Sequence, residues 1–402
     1  MMPLTPLMPM MPMMPMMPMM PMMPMMPMMP MMSHHASPFA ARLPAGRSAA
    51  RPAFTMLELL VVITVLAVLL ALFAPAVGGA REAARRSGCR DNMKQLALAV
   101  LFHADREGRF PAMGNISAVS DARYHTWLTS ILPEIDQANL FASYNLDEPA
   151  DSATNRPLVQ TPLTLLACPS DITTVEGAPN LSYVANGGIG WTIPIDCPAV
   201  LRNIDGVGTL KPIDLNGDGV VCAIAEANAD AEILARTGLF FLENWPAGSG
   251  TVRHHTLDSL TDGTTMTLML SENIRAGYDP EADDDGRLTG WGASEPGSIG
   301  LFFSGAVCED ESCTEDRIDY ARANSSGSEV ARREAINAPL DQPEGLAPWA
   351  SSLHGPLVNA VFADGHTRTL SETIDGAVYA ALYSPQGELI GGPLKQSLVT
   401  DF

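Results

Sequence analysis

Lysine is nearly absent from this chain. Its 402 residues hold only Lys94, Lys211 and Lys395, and arginine raises the basic total to just 24 against 45 acidic groups. Arg42, Arg47 and Arg51 are the sole formal charges before residue 54, so the remainder carries a net −24. Phosphate binding draws on Lys and Arg, and an anion of this size excludes nucleic acid as a partner. Catalytic signatures are missing too: there is no GxSxG, no HExxH, no phosphate loop and no Gly-rich dinucleotide fingerprint. The expectation is therefore not an enzyme, with no certain cofactor. Divalent cations are the natural counterions of so acidic a surface.

Methionine is scarce after residue 32, because 19 of the 24 lie within the first 32 residues together with 10 of the 33 prolines. Residues 1–32 repeat Met-Met-Pro, and a proline at every third position forbids a helix and a sheet interior. They are either a polyproline-like or disordered tail, or a stretch read from a start codon placed too far upstream. Residues 33–53 form a short Ala/Pro/Arg-rich segment without an acidic group.

A long hydrophobic run then begins abruptly. Leu59 to Val77 gives 19 consecutive uncharged residues, enough to cross a hydrocarbon layer about 30 Å thick. The expected span covers about residues 57–77, with Glu58 as its one ionisable group; a buried helix of a soluble protein is the rival. After Gly78-Gly79, Met93, Leu96, Ala97, Val100 and Leu101 fall at i, i+3, i+4, i+7 and i+8, one face of an amphipathic helix. Gly108 and Pro111 supply a stop. One helix over residues 54–108 would be about 80 Å long at 1.5 Å per residue.

Beyond it, LTLLACPSD, LSYVANGG, TMTLMLSEN, IGLFFSG and VNAVFADG are short apolar runs separated by turn residues, with a short helix expected at Pro133 to Tyr144. The fold class is α+β, a long N-terminal helix packed on an antiparallel head domain over residues 109–402. Variable insertions are expected near residues 202–232 and 279–343.

The basic leader ends in Ala53, and Phe54-Thr55-Met56-Leu57-Glu58 opens the apolar helix. This arrangement resembles the processing site of type IV prepilins and of type II secretion pseudopilins. The resemblance implies cleavage between Ala53 and Phe54 by a prepilin peptidase, methylation of the Phe54 amine, and other pilin-like subunits as partners. Ala53 stands where that family usually has glycine. A carboxylate inside a spanning helix costs about 2.5–3.5 kcal/mol on insertion scales, so Glu58 needs a partner. The resemblance supplies one for assembly, the Phe54 amine of a neighbouring subunit; the plainer alternative is a carboxylate snorkelling at the headgroups. Arginines follow the span as well as precede it, so charge alone does not orient it. The processing motif implies an inner-membrane, single-pass protein with its head in the periplasm or at the cell surface.

The segment from Ala80 to Ala112, with CPSD, SYVANGG and LSENI, resembles prepilin-like proteins whose extracytoplasmic part is a domain of unknown function, DUF1559. His354, Asn359, Asp364 and Gly365 match the His-nine-Asp-Gly signature of that family. Read locally, this segment is a β-hairpin with an Asp-Gly turn. Convergence of His354, Asn359 and Asp364 on a metal or substrate is the other reading, and a turn-stabilising histidine the simpler one.

Six cysteines, Cys89, Cys168, Cys197, Cys222, Cys308 and Cys313, would meet an oxidising compartment if the head is exported. Local pairing joins Cys308 to Cys313 and Cys197 to Cys222, which leaves Cys89 for Cys168. Zinc is the rival, and the spacings lack a CxxC. Asp214, Asn216 and Asp218 alternate before Gly219 like the first half of an EF-hand calcium loop, although Ala225 occupies the twelfth position. The leading reading is a membrane-anchored, pseudopilin-like structural subunit. The competing one is a surface enzyme or glycan-binding module that uses the pilin-type helix only for export and anchoring.

Overall fold

The computed structural model describes residues 54–116, 123–189, 199–200, 211–212, 229–243, 254–277, 288–293, 296–303, 320, 323–324, 335–338, 349–391 and 395–397. Helix α1 runs from Met56 to Glu107, 52 residues without a break. Gly108, with φ of 71°, ends it in the left-handed conformation that glycine adopts without a Cβ penalty. The chain divides into one unit up to Val65 and a second from Leu66 onward.

In the first unit, Thr55 and Glu58 form a reciprocal cap. The Thr55 backbone N–H and hydroxyl each donate to Glu58 Oε2 at 2.9 Å, and the Glu58 N–H donates to Thr55 Oγ1 at 3.2 Å. This satisfies otherwise orphaned donors at the helix start.

In the second unit, the periodic face of α1 is buried. Cys89, Met93, Leu96, Ala97 and Val100 are fully covered, whereas Leu98 and Phe102 on the opposite side are exposed. Each buried Leu or Val contributes about 1.5–3 kcal/mol. The surface they cover is a five-stranded sheet in the order β10-β9-β7-β3-β8. Its members are β3 (Tyr183–Ile189), β7 (Leu268–Glu272), β8 (Gly300–Phe303), β9 (Leu357–Phe362) and β10 (Thr367–Ser371). Three of its four pairings are antiparallel, as expected of the α+β head, and one pair, β3 and β8, runs parallel. A parallel neighbour needs a long crossover, and 110 residues separate the end of β3 from the start of β8.

Alternate residues of the strands face opposite sides. Tyr183, Ala185 and Val361 pack with α1, while Val184, Ala360 and Phe362 pack with Tyr379 and Tyr383 of the helix Gly376–Tyr383. The sheet is thus a middle layer with apolar matter on both faces. A smaller sheet joins β1 (Gly114–Ile116), β2 (Arg123–Thr126) and β6 (Leu242–Glu243), and β4 (Ala199–Val200) pairs with β5 (Lys211–Pro212). The short helix expected at Pro133 to Tyr144 is two pieces, a 3-10 turn Leu132–Ile135 and a helix Ala138–Ser143, parted by Asp136 with φ of 60°.

Candidate functional site

Three segments distant in sequence meet beside α1. The first is the end of β7, where Glu272 is 1% exposed after a fully buried strand. Its carboxylate is not bare: Oε2 accepts the Asn359 backbone N–H and Oε1 accepts Asn359 Nδ2, both at 2.9 Å. The second is the turn before β9, where the Ser352 hydroxyl accepts the His354 N–H at 3.1 Å and fixes the histidine backbone. The third is the CPSD segment, whose Cys168 is bonded to Cys89 of α1 with a Cα–Cα distance of 4.9 Å.

His354 joins all three. Its Nδ1 lies 2.9 Å from Glu82 Oε1 on α1, and its Nε2 lies 3.3 Å from Glu272 Oε1 and 3.5 Å from Cys168 Sγ. A carboxylate at each nitrogen favours the protonated ring, which is a donor at both positions. Burial works against that charge, but the bonds and fields of Glu272 and Glu82 outweigh it and raise the His354 pKa. The Glu82 pKa is lowered, chiefly by the His354 bond. Glu82 also takes Ser170 at 3.2 Å and Arg85 at 2.6 Å.

The rest of CPSD secures the same corner. Asp171 accepts the Ser182 hydroxyl at 2.6 Å, and Ser182 Oγ in turn accepts the Cys168 N–H at 3.1 Å. Asn92 of α1 donates to Ala167 O at 3.1 Å. Cys168 and Cys89 are 79 residues apart, so in the chain-entropy account closing that loop contributes about 4–5 kcal/mol.

The structure sorts the His-nine-Asp-Gly residues into two places. His354 and Asn359 both serve Glu272. Asp364 caps the β9–β10 turn instead, accepting the His366 N–H at 2.9 Å, with Gly365 at φ of 86°. Asp364 therefore belongs to the hairpin rather than to the histidine cluster. Glu82 and Glu272 are the residues that sequence reading missed. For Glu272 the available signal was a carboxylate at the end of the mostly apolar run Leu268–Ser271, because a buried charge requires a partner.

Cys89, Cys168, Glu272 and His354 have their donor atoms within 4.8 Å of one another. Two of the four are the sulfurs of a disulfide, so in the oxidised chain the cluster is a covalent and ionic joint between α1 and the sheet. Elsewhere, a cavity of about 90 Å³ is lined by His103, Arg109, His125, Thr126 and Glu243 among others. It contains none of the site residues expected from sequence. Ala53, Cys197, Cys222, Cys308, Cys313, Asp214, Asn216 and Asp218 lie outside the described residues.

The sequence pattern of proteins of unknown function (DUF1559) matches residues 79–377. The chain belongs to this family. Its match begins just past the apolar run and takes in every residue of the joint, from Glu82 to Asn359. No curated protein and no solved structure matches. Within the DUF1559 match, CPSD, LSENI and the histidine of the His-nine-Asp-Gly signature come together at one corner of the fold. Among the described residues, one helix, α1, is long and apolar enough to cross a membrane, and its most apolar window is wholly unburied.

Proposed function

We propose that this DUF1559 chain is a membrane-anchored, pilin-like structural subunit and not an enzyme. In this reading a prepilin peptidase removes the leader before Phe54, the new amine is methylated, and the head stands outside the inner membrane. One observation supports it above the others: a single helix is apolar and exposed at its beginning and bonded farther on to the CPSD loop of the head by the Cys89–Cys168 disulfide. A force on such an anchor passes directly into the head. The buried groups His354, Glu272 and Cys168 are engaged with one another, which suits a joint better than a substrate site.

Glu58 has two roles in this account. In the uncut chain it caps its own helix through Thr55. After cleavage it would take the Phe54 amine of a neighbouring subunit. Asp214, Asn216 and Asp218 would hold calcium weakly. Shearing of native cells followed by fractionation tests the assembly: the parent chain should appear in sheared fibres, and Glu58→Ala should remain in the membrane. Equal recovery of the two in fibres would remove Glu58 from the mechanism, and absence of the parent from fibres would leave the anchoring role alone.

A further inference from the structure

We propose that the joint is a redox-gated metal site: when the Cys89–Cys168 disulfide is reduced, Cys89, Cys168, His354 and Glu272 close around one zinc-class divalent ion. The geometry is that of a tetrahedron already laid out. Zinc holds nitrogen and oxygen at about 2.0–2.1 Å and sulfur at about 2.3 Å, so N–O edges are about 3.3 Å and edges to sulfur about 3.5 Å. The observed separations are 3.3 Å from His354 Nε2 to Glu272 Oε1, 3.5 Å from Cys168 Sγ to His354 Nε2, and 3.8 Å from Cys168 Sγ to Glu272 Oε1. The edge between the two sulfurs is the S–S bond, which must break before an ion can enter.

The outer groups fit as well. A ligating histidine generally donates its other nitrogen to a carboxylate, which fixes the ring and its tautomer. Glu82 is in that position at His354 Nδ1, 2.9 Å away. Asn359 orients Glu272 through two hydrogen bonds to its carboxylate. All four ligands are buried, as in closed four-coordinate structural sites rather than catalytic ones, which keep a position open.

The chemistry balances with a dithiol reductant. Two electrons and two protons pass from the dithiol to the disulfide, giving two thiols and an oxidised reductant. The ion then displaces both thiol protons and the Nε2 proton of His354, and it binds two thiolates, a neutral imidazole and a carboxylate. Helix α1 is thereby tied to the head in either redox state, by a disulfide to the CPSD loop or by a metal that also engages Glu272 of β7.

The test uses the full chain in lipid nanodiscs, with serine at the other four cysteines, titrated with cobalt(II) alone. The reduced chain should take one equivalent with a thiolate-to-cobalt charge-transfer band and the intense visible bands of tetrahedral cobalt, both erased by zinc. The oxidised chain should show neither, and Cys168→Ser should lose the charge-transfer signature after reduction. Glu82→Gln alters only a partly exposed outer carboxylate, so it should fold, keep the tetrahedral spectrum and bind about 10- to 100-fold more weakly. Absence of binding by the reduced chain, an octahedral spectrum, or equal binding by the oxidised chain would overturn the proposal. None of these outcomes depends on whether the leader is cut.

Discussion

Glu82 and His354, 272 residues apart, meet at 2.9 Å where α1 crosses the corner of the sheet. The two partners of His354 differ in surroundings: the Glu82 side chain is 38% exposed and that of Glu272 only 1%. Removing them should therefore differ in cost. Glu82→Ala loses a hydrogen bond that water can partly replace, about 0.5–1.5 kcal/mol. Glu272→Ala takes the buried partner from His354 Nε2 and leaves the Asn359 donors without their acceptor, about 3–5 kcal/mol. Denaturant titration of the oxidised chain compares the two, and equal losses would mean that Glu272 is not the centre of the joint.

The disulfide should dominate the stability of α1 against the sheet. Replacing Cys89 and Cys168 together by serine should lower the unfolding free energy by about 4–5 kcal/mol in the oxidised chain. The measurement is again the denaturant midpoint, taken without added metal. A loss below about 1 kcal/mol would show that the ionic contacts hold the joint unaided.

Within β3, Gly187 and Gly188 leave no room for a side chain. Gly188 has φ of 85°, and a Cβ there would lie 2.6 Å from the Gly238 nitrogen. Asn186 meanwhile donates to Leu268 O and Tyr383 O at 2.8 and 2.7 Å, tying β3 to β7 and to the end of the helix Gly376–Tyr383. Gly188→Ala combines backbone strain with a backbone clash, and it should cost more than the ~1 kcal/mol of a typical substitution. A melting temperature equal to that of the parent would refute the close approach.

Acid should weaken the head through histidines remote from the joint. Burial lowers the pKa of His103, His125 and His255 below 6.5. For His125 the neutral form is also required by geometry. Asn115 Oδ1 accepts the His125 N–H, so Asn115 Nδ2 faces His125 Nε2 as a donor at 3.0 Å. A lowered folded pKa gives stability that is present above 6.5 and lost as pH falls through the folded values. His354, whose pKa is raised, has the opposite sign, with its contribution complete below 6.5 and lost at higher pH. Melting curves between about pH 7.5 and 5 should show a smaller acid loss in His125→Gln than in the parent. Identical slopes would exclude His125 as a contributor.

Local periodicity carried much of this fold. The face Met93, Leu96, Ala97 and Val100 was readable because a helix repeats every 3.6 residues, and all four are buried. The Asp364-Gly365 turn was readable because few dipeptides tolerate that backbone. The Cys89–Cys168 bond followed from pairing the other cysteines locally. What could not be read was convergence across long separations. Nothing near Glu82 announces His354, and the parallel placement of β8 beside β3 depends on the whole crossover. The CPSD and LSENI segments were recognisable as motifs, but their purpose emerged only when Cys168, Ser170 and Glu272 were seen around one histidine.

The central claim is that α1 is a processed membrane anchor bonded to its head. Intact-mass and N-terminal analysis of the chain taken from native membranes under thiol-blocking, non-reducing conditions tests both halves at once. The account predicts a polypeptide beginning at methylated Phe54, with Cys89 and Cys168 joined and unlabelled. A chain that retains residues before Phe54, or one in which both cysteines carry the blocking group, would contradict it.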